Sequence, residues 1–192
     1  MAPPSYRTSD HDSSSVQRIM GIDPGTGVTG WGIIEAARQD LRHLAHGTIV
    51  TAGAQDQGAR LRRIYQGIQE AVESYRPGGV SLEKVFFARN AQSALKLGQA
   101  RGVALVAAAH SGLAVHEYAA SEIKLAVVGY GRATKEQVQK MVVSLLQLSE
   151  RLALDAADAL AAAICHLHQQ SFQARVLEAA EDWGSARRRP RV

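Results

Sequence analysis

The 192-residue sequence predicts an α/β fold with a mixed five-stranded sheet flanked by helices, and three observations predict it. Residues 18–51 carry three successive apolar or alternating runs parted by turn residues, the pattern of an antiparallel meander. After residue 58, segments with helical spacing alternate with two short β-like runs, and strands joined through helices must run parallel. A chain of this length has room for one domain with a sizeable core.

The apolar "RIMGID" (18–23) reads as a buried strand, and Pro24-Gly25 turns the chain into a second, "VTGWGIIEAA" (28–37). "DLRHLAHGTIVT" (40–51) alternates imperfectly and completes the meander. Residues 58–76 set Leu61, Ile64, Tyr65, Ile68, Ala71 and Val72 at helical spacing, and Pro77 stops that helix. A strand, "GVSLEKVFF" (79–87), precedes a small-residue helix over 90–110 that ends before Gly112. "LAVHEYA" (113–119) is the fifth strand and 121–129 a short helix. Thr134 and Gln137 form a T-x-x-Q capping box at the head of the next helix. An Ala-rich helix is expected over 156–170. The domain thus spans 18–170. Residues 1–17, polar and Ser/Pro-rich, read as a flexible extension, and 171–192 as a flexible basic tail with Arg187, Arg188, Arg189 and Arg191.

Composition narrows the function classes. Hydrophobic residues make up 46%, aromatics 5%, and mean hydropathy is -0.13, values of a soluble globular chain packed with small aliphatic residues. A net charge of +4 and a pI of about 9.5 suit a polyanionic partner. One cysteine, Cys165, cannot form an internal disulfide, which fits a reducing cytoplasm. No apolar run is long enough to span a membrane, and the N-terminal residues lack the apolar region of a secretory signal.

Four acids stand out. Asp23 closes the first strand and is followed by Pro-Gly-Thr-Gly; strand ends are where ligands sit, and glycines allow close approach. A simple turn explains the same residues. Glu83 interrupts an apolar strand, either as an exposed edge charge beside Lys84 or as a charge held by a partner. Asp155 and Asp158 lie three apart on one side of a helix, where Asp155 suits an N-cap and Asp158 the positive end of the dipole. Convergence of all four would need their repulsion offset, and two divalent cations do that directly. Carboxylate oxygens suit Mg2+ or Mn2+. Two such ions about 3.5–4 Å apart serve in-line attack of water on a phosphodiester. His166, His168 and Cys165 read as packing or surface residues.

The segments "GIDPGTGVTGWGII", "LEKVFFARNAQSALKLGQARGVALVAAA", "YAASEIKLAVVGYGRATKEQVQKMV" and "DAADALAAAICHLH" resemble the RuvC family of bacterial Holliday-junction resolvases, in order, across about 18–170. The resemblance implies a ribonuclease H-like fold and a homodimer. It also implies Mg2+-dependent crossover junction endonuclease activity in DNA recombination and repair, by paired symmetric nicks with a preferred cleavage sequence. Assembly with the RuvA and RuvB branch-migration proteins is implied too. The family's acidic quartet falls on Asp23, Glu83, Asp155 and Asp158, and its base-inserting aromatic on Phe86. Lys124 and Lys135 match basic positions near the DNA backbone, with Arg89 and Asn90 as further backbone contacts. Lys135 is unusual on its own terms, because a cation at the first helical position opposes the dipole while a phosphate there would welcome it. Arg60, Arg62 and Arg63 read as a solvated helix face. Gly98 and Gly102, four apart, allow close packing against the sheet or against a second copy.

Three rivals remain open at this point. "GIDPGTG" also resembles the first phosphate loop of the actin–hexokinase–Hsp70 superfamily, whose members need a second domain and a second glycine-acid loop. Another ribonuclease H-like nuclease acting on RNA–DNA hybrids would use the same acids. A non-catalytic binding module is the third.

Overall fold

The computed structural model describes residues 16–37, 40–84, 91–149 and 152–187. Strands β1 (Gln17–Asp23), β2 (Val28–Ala37) and β3 (Asp40–Val50) form the expected antiparallel meander. β4 (Gly79–Glu83) pairs parallel with β1, and β5 (Ala114–Tyr118) parallel with β4, giving the order β3-β2-β1-β4-β5. Helices α1 (Gln57–Tyr75), α2 (Ala91–His110), α3 (Ala120–Val128), α4 (Lys135–Leu145) and α5 (Leu154–Arg187) cover the two faces.

Local chemistry sets the helix ends. Asp56 caps α1 by accepting the Ala59 N–H at 2.7 Å, and Arg76 ends it in the left-handed region (φ 49°) just before Pro77. The capping box on α4 is closed: Thr134 Oγ1 accepts the Gln137 N–H at 3.3 Å, and Gln137 Oε1 accepts the Thr134 N–H at 2.9 Å.

Two elements differ from expectation. α5 begins at Leu154, so Asp155 lies inside its first turn rather than at the N-cap. α5 also continues to Arg187, so the segment from 171, expected as tail, is helical that far. The reason is local: no proline or glycine interrupts residues 171–183, and that stretch is rich in good helix formers. β4 ends at Glu83; of the strand expected over 79–87, residues 85–87 lie outside the described ones.

Alternation along the strands produces two cores. Met20, Ile22, Ile33, Val80 and Leu82 pack against α1 and α2. Ile19 and Ile34 pack on the other side with α3, α4 and α5. Because strand side chains alternate, Asp23 lies on the same face as Ile19 and Gly21, and Glu83 on the same face as Ser81. That face belongs to α5: Ser81 Oγ donates to the Ala162 carbonyl at 2.7 Å.

Candidate active site

Three elements bring the acids together. The β1–β4 ladder ends at the Ile22–Leu82 pair, so Asp23 and Glu83 are neighbouring residues one step beyond it, at the C-terminal ends of adjacent parallel strands. α5 supplies Asp155 and Asp158 from its first turns. It reaches the sheet because glycines floor the contact. A Cβ at Gly21 would strike the Ala159 carbonyl oxygen, one at Gly30 the Asp155 carbonyl oxygen, and one at Gly32 the Leu160 side chain. Gly30 is also the β2 partner of Asp23. The missing side chain beside Asp23 therefore makes room for the helix carrying Asp155. Ala156, Ala157, Ala159, Ala161, Ala162 and Ala163 are all buried, which keeps α5 close to the strands.

The acids feel one another. Burial pushes the Asp23 carboxyl up to about 7, with Asp158, Glu83 and Asp155 adding repulsion and Lys135 opposing it. Glu83 is likewise raised, first by burial and then by Asp158, against Lys135 and Lys124. Lys135 Nζ donates to Asp158 Oδ2 at 2.6 Å. That bond, followed by the attraction of Asp158, Asp23 and Glu83, outweighs partial burial and raises the lysine's pKa. The ammonium of Lys135 thus turns to a carboxylate of α5 instead of standing open at the head of α4 for a phosphate. Four carboxylates against Lys124 and Lys135 leave an excess of negative charge. Among the described residues, no three His, Cys, Asp or Glu side chains are gathered at one point as metal ligands. The acids are coupled through space, and the cation in direct contact is Lys135. An all-oxygen donor set with unbalanced negative charge and partly buried carboxylates nevertheless fits hard divalent cations in its chemistry.

With this geometry in view, comparison with known proteins is direct. The family model described as "Crossover junction endodeoxyribonuclease RuvC" matches residues 19–166. The chain belongs to the RuvC family. A RuvC from Pelobacter propionicus is 54% identical over 151 residues, covering 79% of this chain and 86% of the relative. One from Geobacter sulfurreducens is 54% identical over 149 residues, covering 78% and 91%. Among solved structures, the Thermus thermophilus RuvC in complex with a Holliday junction substrate superimposes with a TM-score of 0.77 at 34% identity, covering 82% of this chain and 96% of that one. The yeast mitochondrial Holliday junction resolvase Ydc2 shares the fold, with a TM-score of 0.58 at 10% identity. The sheet and its helices are the ribonuclease H-like α/β fold of these RuvC structures.

In this RuvC-family chain the other expected contact residues divide. Lys124, on α3, acts on Glu83 through space, and Lys135 sits within the carboxylate cluster itself. Phe86, Arg89 and Asn90 lie outside the described residues. Of the arginines expected on a solvated face, Arg62 and Arg63 are exposed but Arg60 is buried. Position 60 shares a helix face with Ile64 and Ile68, and the guanidinium reaches Gln57 Oε1 and the Gly25 carbonyl, both at 3.4 Å. Arg60 therefore ties α1 to the turn that follows Asp23. Gly21, Gly30 and Gly32 were not singled out in the sequence, although their shared face in two adjacent strands is a legible signal of a close-packed helix. A cavity of about 390 Å³, lined by Leu41, Leu167, His168 and Arg175 among others, lies further along α5 and contains no carboxylate. Among the described residues no helix is long and apolar enough to cross a membrane.

Proposed function

We propose that this RuvC-family chain resolves four-way DNA junctions by divalent-metal-dependent hydrolysis, nicking two opposed strands at symmetric positions in recombination and repair. The observation that carries the proposal is that Asp23, buried at a strand end, feels the charges of Asp158, Glu83 and Asp155, which come from a neighbouring strand end and one helix start. Asp23, Glu83, Asp155 and Asp158 would hold two Mg2+ ions, or Mn2+ in their place. When bound, such ions offset charge at the phosphodiester and make the attacking water more acidic. Asp23, the acid that feels all three of the others, is the central ligand. Lys135 and Lys124 limit repulsion among the acids, and once cations take over that task both would serve as contacts to the DNA backbone. Phe86 inserts among junction bases, and Arg89 and Asn90 contact the backbone. Residues 18–170 form the catalytic unit.

A homodimer fits this function, since a junction with near-twofold symmetry requires two sites to nick paired strands. On α2, Leu95 and Val106 are exposed, and a Cβ at Gly98 or Gly102 would meet nothing. That open face supports a contact with a second copy. RuvA and RuvB are the partners the family implies.

The test is a gel assay with a synthetic four-way junction labelled on each strand, in Mg2+, Mn2+ or EDTA. Paired symmetric nicks with either metal and none in EDTA are expected. No cleavage with any metal, or equal cleavage of an RNA–DNA hybrid, would contradict the proposal.

A further inference from the structure

Glu83 turns its side chain toward α5, yet its backbone is held from the opposite layer. The peptide joining Glu83 to Lys84 is gripped on both sides. Arg101 Nη1 donates to the Glu83 carbonyl at 2.7 Å, and the Lys84 N–H donates to the Tyr118 carbonyl at 2.7 Å. β1 gives no support at this point, because its ladder with β4 stops at Leu82. Arg101 comes from α2 and is ion-paired with Glu117 of β5, whose side chain faces the same layer. Its own side chain is only 16% exposed. A guanidinium with little water around it depends on such partners, and a charge-assisted bond to a carbonyl is correspondingly strong.

We propose that Arg101 is a positioning residue for cleavage: by fixing the plane of the Glu83–Lys84 peptide it aims the Glu83 carboxylate at the cation site. This rests on Glu83 being a metal ligand. Glu83 is still paired with Tyr118 of β5 but stands one residue past the last β1–β4 pair, so its β1 side lacks a ladder partner, and rotation about its backbone would swing the carboxylate away from Asp23. Arg101 removes that freedom without touching substrate or metal. Outer groups that orient a metal ligand characteristically change metal affinity by about 10-fold or more.

The experiment titrates Mn2+ into the full chain, followed by electron paramagnetic resonance. In parallel, single-turnover junction cleavage is measured against Mg2+ concentration, with junction affinity in EDTA as control. Arg101→Gln should bind Mn2+ about 10-fold more weakly and need correspondingly more Mg2+, with junction affinity within about twofold of wild type. Arg101→Lys, whose ammonium still donates to the carbonyl, should recover most of the loss. Wild-type Mn2+ affinity in Arg101→Gln, or equal impairment of the Lys and Gln variants, would overturn the proposal. Glu83→Gln separates the two layers of inference. If it keeps wild-type metal binding and cleavage, the ligand assignment fails; if it loses both while Arg101→Gln does not, only the role of Arg101 fails. Should Arg101→Gln not fold, Glu117→Gln loosens the guanidinium more gently. A smaller shift in the same direction then supports the proposal, and no shift refutes it.

Discussion

Asp23 is under two opposing demands, since a ligand must be ionised and its surroundings favour the proton. Its carboxyl sits at about 7 against an ordinary 3.8, because of burial first and neighbouring acids second. The folded chain therefore holds this proton more tightly than the unfolded one, and stability falls as pH rises from about 3.8 to about 7. Asp23→Asn removes that cost and should stabilise the protein at pH 8 by on the order of 2–4 kcal/mol. The same variant loses a ligand charge with little change of shape. Junction cleavage should drop by about a thousandfold, equivalent to about 4 kcal/mol, while junction binding holds. Normal cleavage by Asp23→Asn would remove it from the centre of the site. His166 shows the opposite linkage. It is buried on α5, its Nδ1 is 2.7 Å from the Tyr118 hydroxyl, and its ring lies 4.1 Å from that of His116. Burial first, then His116, lowers its pKa from 6.5 to about 4. Its contribution is complete above pH 6.5 and is lost as pH falls toward 4, reaching about 2 kcal/mol by pH 5. Denaturant melts of Asp23→Asn, with and without His166→Phe, isolate this effect from that of Asp23. The His166→Phe chain should show the flatter pH profile between 6.5 and 4, and parallel profiles would contradict the assignment.

At the scale of elements, the seat of α5 decides whether a site exists at all. Gly30 leaves space for the Asp155 backbone beside Asp23, so Gly30→Ala must lift the start of α5 or fail to pack. A loss of about 1–3 kcal/mol is expected, with weakened Mn2+ binding from displaced acids. Unchanged stability and metal affinity would show that α5 is not seated as described. Among the described residues, α1 was legible from its apolar period, α2 and α5 from runs of small helix-forming residues, and the strands from apolar runs between turn residues, while the T-x-x-Q box at Thr134 marked a helix start to the residue. The four acids were legible as separate oddities, each with a plausible local explanation. What joins them, the parity of Asp23 and Glu83 and the glycine floor under α5, depends on pairing between distant strands. The far end of α5 was misjudged for a different reason. Polar composition suggested a tail, but without glycine or proline before Gly184 nothing stops the helix. Lys135 was legible as unusual, whereas its partner Asp158, 23 residues away, was not.

For the whole molecule, the layered sheet makes division of labour possible. One face carries the carboxylates on β1, β4 and α5, and the other holds α2, which clamps Glu83 from behind and presents an open apolar edge outward. If that edge meets a second copy, Val106→Glu should shift the protein from dimer to monomer in sedimentation equilibrium, with junction cleavage no longer paired. A chain that stays dimeric with Val106→Glu would place the contact elsewhere. The phosphate-loop alternative needs a second domain to enclose a nucleotide, and the family match over residues 19–166 assigns the sheet and its helices, α5 as far as His166, to a nuclease family instead. All of this turns on four acids sharing hard cations. The most direct measurement is the unfolding temperature of wild type and Asp23→Asn with increasing Mg2+ at pH 8, in the absence of DNA. Ligand linkage predicts that wild type starts lower and rises steadily with Mg2+, while Asp23→Asn starts higher and stays nearly flat. Equal Mg2+ responses in the two proteins, or none in wild type, would contradict a shared cation at Asp23.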